Sequence, residues 1–285
     1  MSTQKPPMPK APAVAPGGSH SGYSSPIPVT RTHLGHALAS EWTKMKSVRS
    51  TVWTLGVFVL LVVGIGLLAA VAVRGAGELD RQSPLTLGFF GLLLGMMCVM
   101  TLGVLTTASE YGTGMIRTTM TACPSRGRVL AAKSIVFFVV AFVVTLATVS
   151  FVALLQTSML ESSGTRTPTG GEWLKATVGI SLYIALLGLL SLLVGSMIRH
   201  SAGAITIMIG AVLAPLVIAL FMNANSLEKV QQVLLEYSIP SQMGVFYDNT
   251  LSHSGPSGWE PLWIMLGVTA AAFAGAYALL ESRDV

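Results

Sequence analysis

Charge is scarce in this sequence. Asp, Glu, Lys and Arg make up 10% of its 285 residues, against roughly 25% in soluble domains. A water-facing surface cannot be covered with so few charges, which excludes an ordinary soluble globular protein. Cysteine is nearly absent: Cys98 and Cys123 are the two present, too few for a disulfide framework or a four-cysteine zinc site. No Gly-Lys pair occurs anywhere, so the chain cannot build a Walker-type phosphate loop, in which the lysine directly follows a glycine. Lys and Arg exceed Asp and Glu, 17 to 12. In a soluble protein that excess points to nucleic acid, but in an apolar chain it marks the cytoplasmic side of a membrane, and no nucleic-acid partner is expected.

What is abundant is apolar: 52% of the residues are hydrophobic, gathered into long runs. Residues 1–30 differ, being rich in Pro, Ser, Gly and Ala without an apolar run. They read as a disordered cytoplasmic tail, since prolines stand where a cleavable signal needs its hydrophobic stretch. After it, six segments are each long enough to cross about 30 Å of hydrocarbon, which takes roughly 20 helical residues. They fall near 52–73, 86–108, 134–156, 176–198, 202–222 and 262–280. The fourth and fifth are divided by Arg199, His200 and Ser201 alone, which requires an antiparallel helical hairpin. Pro215 within the fifth should kink or locally unwind it.

Orientation follows from the basic residues. With the tail in the cytoplasm, 12 Lys and Arg lie inside and 5 outside, and the acidic residues reverse this with 4 inside and 8 outside. Both termini are therefore expected in the cytoplasm. Within these boundaries the spans hold no Asp, Glu, Lys, Arg or His. Ion-coupled carriers, pumps and intramembrane proteases need such groups at depth. Work done by this protein must then enter through a loop.

Two cytoplasmic stretches carry content. In THLGHALASEWTKMKSVRST, Leu34, Leu38, Trp42 and Met45 form one helical stripe, with Lys44, Lys46 and Arg49 available to lipid phosphates; this reads as an amphipathic helix in the inner headgroup layer. Glu41 falls close to the stripe, where either a cation meets it or it sits solvated at the helix edge. In SEYGTGMIRTTMTACPSRGRVLAAKS, Gly112 and Gly114 permit a bend and Met115, Ile116 and Met120 give a short apolar face. Arg117, Arg126, Arg128 and Lys133 surround that face. Such a knob ringed by charge suits a soluble partner, and a loop made basic only to set topology reads equally from its composition.

SEWTKMKSVRSTVWTL at 40–55 and SEYGTGMIRTTMTACPSRGRVLAAK at 109–133 resemble the two signature stretches of actinobacterial ATP-binding-cassette (ABC) transporter permeases of the type-2 exporter class. The six spans and SIPSQMG at 238–244 are similar as well, so the likeness covers most of 31–285. The resemblance implies an all-α membrane domain over 31–285, with an amphipathic elbow helix before six transmembrane helices. It implies a coupling helix between spans two and three that docks on a separate ABC ATPase, and two permease subunits, a second copy or a paralogue, paired in the bacterial plasma membrane. Trp42, Lys44 and Arg49 would belong to the elbow, and Glu110, Tyr111, Gly112 and Arg117 to the coupling loop, with Met115 and Ile116 as its apolar anchor. No cofactor or metal would be held by this chain, and ATP and Mg would be used by the partner.

Outside, SLEKVQQVLLEY places Leu227, Val230, Leu234 and Tyr237 on one helical face. A short amphipathic helix in the outer leaflet is expected, and the resemblance implies that it caps the exit as an outer gate; a plain surface cover is the other reading. In the second span Gly91 and Gly95 are spaced for close helix contact, and Met96, Met97 and Met100 read as packing residues. The function that follows is the permease subunit of an ABC exporter working by alternating access, not itself an enzyme. The rival is a non-transporting membrane anchor or assembly factor that recruits a cytoplasmic protein through 109–133.

Overall fold

A backbone in hydrocarbon must satisfy its own N–H and C=O groups, and long apolar runs do so as helices. The computed structural model describes residues 33–76, 83–122, 125–161, 165–222, 227–249 and 255–282; the expected tail over 1–30 lies outside them. Every regular element among the described residues is helical. In order these are α1 (Leu34–Ser47), α2 (Arg49–Ala76), α3 (Gly88–Gly112, entered through a 3-10 turn at Pro84–Leu87), α4 (Met115–Ala122) and α5 (Arg126–Leu160). Next come α6 (Gly170–Leu174), which runs through a π turn at Lys175–Gly179 into α7 (Ile180–Ile198), then α8 (Ser201–Phe221), α9 (Glu228–Glu236), α10 (Ile239–Gly244) and α11 (Glu260–Ser282). Among the described residues, six helical stretches are long and apolar enough to cross a membrane: Arg49–Arg74, Pro84–Gly112, Arg126–Leu160, Gly170–Ile198, Ser201–Phe221 and Glu260–Ser282.

α7 and α3 form the centre of the bundle and pack along each other. Their approach depends on missing side chains: a Cβ on Gly103 would stand 2.3 Å from the carbonyl oxygen of Gly188. Thr107 seals the same seam by donating to the Leu192 carbonyl at 2.8 Å. α2 lies on the other side of α3, where Gly91 and Gly95 receive Val62 and Phe58; this glycine pair thus serves a contact inside the chain. Met96 and Met100 are fully buried in the core. α5 and α11 flank α7, whereas α8 touches α3, α7 and α9. α2, α8 and α11 keep wide apolar faces exposed, Trp53, Leu60, Leu220, Phe221 and Trp263 among them, as helices bordering lipid do.

The hairpin expected between the fourth and fifth spans is present. Arg199 adopts the left-handed conformation (φ 59°) and its N–H returns to the Gly195 carbonyl. His200 then caps α8, its Nδ1 accepting from the Gly203 N–H at 3.1 Å. α8 continues as helix through Pro215, so local unwinding does not occur there; one missing donor is tolerated in such a helix.

The helices are longer than the apolar runs that announce them. α5 has 35 residues, about 52 Å at 1.5 Å per residue, and overshoots a hydrocarbon core of about 30 Å. The overshoot corrects one expectation. Glu110 and Lys133 lie inside the helical stretches Pro84–Gly112 and Arg126–Leu160, just past the apolar boundaries drawn from sequence, and both are buried.

Candidate functional site

α1 meets α2 at a corner made by one extended residue, Val48 (φ −78°, ψ 115°). The corner lays α1 against α5. The face it buries is Leu38, Glu41 and Met45, turned slightly from the stripe expected in sequence. Leu34 and Trp42 are exposed, and Lys46 Nζ stands 5.7 Å from the Trp42 ring centroid. What draws the face round to Glu41 is charge.

Glu41 is 4% exposed and meets two ammonium groups. Lys44 Nζ donates to its Oε1 at 2.7 Å and Lys133 Nζ to its Oε2 at 2.9 Å. Both lysines also donate to Oε1 of Glu110, Lys133 at 2.7 Å and Lys44 at 3.2 Å. The four side chains close a ring of alternating charge, contributed by α1, α3 and α5. Lys133 adds a bond to the Thr106 carbonyl at 3.3 Å, and Lys44 one to Thr119 Oγ1 of α4 at 3.3 Å. Isolated buried charges would cost several kcal/mol each, so the cluster persists because its members pair and the ring is neutral as a whole.

The pairing shifts the proton affinities of Glu41 and Lys44. Burial alone would raise the Glu41 carboxyl, but the Lys133 charge and the hydrogen bonds from both lysines outweigh it and hold the group below the usual carboxylate range. Burial likewise would lower Lys44, and its hydrogen bond to Glu41 with the charges of Glu110 and Glu41 carries it above the usual lysine range. Both groups stay ionised through neutral pH.

α3 ends at Gly112, and Gly114, with φ 73°, makes the turn into α4 that a side chain would strain. The residues expected to couple are divided by this geometry. Gly112, Met115 and Arg117 are exposed, whereas Ile116 is buried within the protomer and Glu110 belongs to the ion ring. The expected Met115–Ile116 knob is therefore split, because consecutive helical residues point about 100° apart. Tyr111 is half-buried under Arg199, whose guanidinium carbon lies 5.0 Å from the ring centroid. The end of α3 is thus tied to the α7–α8 corner as well as to α1 and α5. Arg49 is exposed at the start of α2.

On the opposite end of the bundle, α9 packs against α8, and Gln231 donates to the Ala219 carbonyl at 2.8 Å. Leu227, Val230 and Tyr237 are exposed and Leu234 is half-buried. The segment sunk into the bundle is the next one. Ser238 caps α10, accepting from the Ser241 N–H, and residues 240–247 are buried. Gln242 accepts from the Tyr183 hydroxyl of α7 at 3.4 Å and donates to the Tyr237 carbonyl at 2.8 Å. Sequence reading missed Thr119 and Gln242, placed Arg199 only in the turn between two spans, and counted Lys133 only among the charges around the apolar face of α4. Gln242 stood within the quoted 238–244 stretch; Thr119 carried no signal.

Residues 37–213 match the family described as ABC-2 family transporter protein. The match covers more than half of the chain, so the protein belongs to the ABC-2 transporter family: it is a multi-pass membrane permease subunit of an ABC transporter. Membership implies an ABC ATPase subunit as partner. The match runs from α1 into α8 and leaves α9, α10 and α11 outside; it does not carry the actinobacterial source of the resembling sequences. No curated protein matches the chain.

Proposed function

We propose that this chain is the membrane half of an exporter in the bacterial plasma membrane, driven by ATP hydrolysis in a separate ATPase that alone holds ATP and Mg. α1 serves as the elbow and α4 as the coupling helix, and both termini are cytoplasmic. The observation that carries this reading is the Lys44 ammonium, which joins Glu41, Glu110 and Thr119. A push on α4 reaches α1, α3 and α5 through one short set of polar contacts, and rigid networks of that kind can transmit a displacement that loose packing would absorb. Met115 and Arg117, exposed on α4, suit the contact with the ATPase, the first as apolar anchor and the second as orienting charge.

A second permease subunit completes the pathway. Support comes from the exposed apolar face of α2 and from the groove it forms with α5, where a Cβ added at Gly56 or Gly64 would meet nothing within 4 Å. Substrate leaves past α9 and α10. The decisive experiment is reconstitution with the ATPase: transport into sealed vesicles that requires both subunits and hydrolysable ATP supports the reading. ATPase capture with no ATP-dependent movement of any substrate would leave the chain as an anchor.

A further inference from the structure

Where aromatic rings stand at the ion-ring end of the bundle, the protein supplies their cations itself: Lys46 lies over Trp42 and Arg199 over Tyr111. The opposite end differs. There a cleft of about 420 Å³ lies between the end of α9 and the start of α11, within the roughly 300–1,000 Å³ of ligand pockets. Tyr237 and Trp263 line it together with Gly255, Pro256, Glu260 and Ile264. Tyr237 is 53% and Trp263 67% exposed, and neither ring meets a cation or a second ring among the described residues.

The cleft is built on fixed parts. Glu260 is exposed, and its Oε2 accepts the Ser257 N–H at 2.8 Å while the Glu260 N–H returns to the Ser257 carbonyl at 3.0 Å. Gly255 brings the loop before α11 onto the end of α9, for a Cβ added there would stand 3.1 Å from Cβ of Glu236. None of the lining residues is basic, and the loops at this end carry 8 acidic against 5 basic residues. An anion is therefore disfavoured, and a metal ion would need several oxygen ligands where one carboxylate lines the wall. Ring faces attract cations, and alkylated ammonium groups suit them best because their methyl groups also lie well on apolar surface. Single rings at headgroup level form the ordinary aromatic belt; here two rings from separate elements share a concave wall with a carboxylate.

We propose that this cleft binds an alkylated ammonium group, with Tyr237 and Trp263 as its aromatic wall and Glu260 as its counter-charge. A choline-type lipid headgroup of the adjacent leaflet and a soluble quaternary ammonium compound share that chemistry. An occupant bridges α9 to α11, and it does so at Tyr237, whose carbonyl accepts from Gln242 of α10 at 2.8 Å. Binding is read on the purified chain in either orientation and is separate from transport.

The test is a saturation-transfer NMR titration of the full chain, held in phosphatidylglycerol nanodiscs, with choline. Choline is expected to bind about tenfold more tightly than 3,3-dimethylbutanol, its uncharged isostere, and than ethanolamine. Trp263→Ala and Tyr237→Ala, both at exposed positions, should each weaken choline about tenfold, and Trp263→Phe should restore most of the loss. Glu260→Gln keeps an acceptor for the Ser257 N–H and should abolish the preference for choline over the isostere. A minor fraction of phosphatidylcholine in the disc separates the two sources: blocked choline binding assigns the lipid headgroup, and unchanged binding the soluble ligand. Choline bound no more tightly than the isostere by the wild type, or equally well by Trp263→Ala, overturns the proposal. Efficient disulfide formation between two chains through Trp263→Cys, with Cys98 and Cys123 replaced by Ala, also overturns it and gives this wall to a subunit interface.

Discussion

Lys44 and Thr119 are 75 positions apart, yet the lysine ammonium donates to the threonine hydroxyl at 3.3 Å. The contact joins the helix before the first span to the short helix after the second, and the same ammonium holds Glu41 and Glu110. The proposed energy transfer therefore converges on one residue of α1.

If the ring holds the inner end of the bundle together, removing one cation should leave an uncompensated buried carboxylate. Lys133→Met is expected to lower unfolding stability by about 3–5 kcal/mol. The double variant Glu110→Gln/Lys133→Met should recover a large part of that loss. Detergent-phase thermal or denaturant unfolding measures both, and a wild-type midpoint for Lys133→Met would contradict the burial of the ring.

The pH range follows from the two shifted groups. Glu41 is depressed, so its contribution is complete above the usual carboxylate range and lost as pH falls through its lowered value. Lys44 is raised, so its contribution is complete below the usual lysine range and lost as pH rises through its elevated value. A spin label at Ser40→Cys, in a background with Cys98 and Cys123 replaced by Ala, should report an immobile α1 at all pH values between those limits and release on the acid and alkaline sides. Release near neutral pH would show that the pairs do not hold α1.

Residues of α4 should separate docking from transmission. Met115→Asp and Arg117→Glu, both at exposed positions, should weaken ATPase co-purification at least tenfold with normal membrane levels. Thr119→Ala removes a contact inside this chain, so it should keep binding and lower transport per ATP hydrolysed. Ile116→Asp should reduce protein stability, because Ile116 is buried. Selective loss of docking with normal stability in Ile116→Asp would reverse that assignment.

The topology has a direct check. In the same cysteine-free background, Thr167→Cys and Ser257→Cys should react with an impermeant thiol reagent in intact cells, and Ser125→Cys should not. All three positions are exposed in the protomer. Labelling at 125 from outside would invert the proposed orientation.

At the opposite end, Leu234→Asp places a charge on the half-buried side of α9 and should lower export several-fold with ATPase assembly intact. Ser238→Ala removes the cap of α10 and should cost about 0.5–2 kcal/mol. Transport assays on vesicles distinguish a gate from a cover: unchanged export by both variants leaves the segment a cover.

The spans and the Arg199 hairpin are legible in sequence because both depend on local rules, a run length matched to the bilayer and a linker too short for any other arrangement. Glu41 is legible in part: its place near the apolar stripe leaves a cation or solvent as its partner, and two lysines meet it. Its partners are not, since hydropathy ends a span at Lys133 and Glu110 whereas tertiary pairing carries the helices through them. The two glycine-lined seams show the same limit: Gly91 and Gly95 announce a contact, but the side of α3 they serve is set by Val62 and Phe58 of another helix. The outer end is least legible. Gln242 and Phe246 are buried by contacts with distant residues, Tyr183 for both, while the helical periodicity that draws attention belongs to the more exposed α9.

Arg199, left-handed and seated over Tyr111, gives α8 a fulcrum. α8 has 21 residues, a lever of about 30 Å, and two residues attach it to the central helix. Tilting it by about 10° around that corner would sweep its far end through roughly 5 Å at this length. The far end holds Ala219, on which Gln231 of α9 is hooked. A small rotation delivered at the Tyr111 corner would thereby be magnified at the far end of α8, and α9 would travel with it.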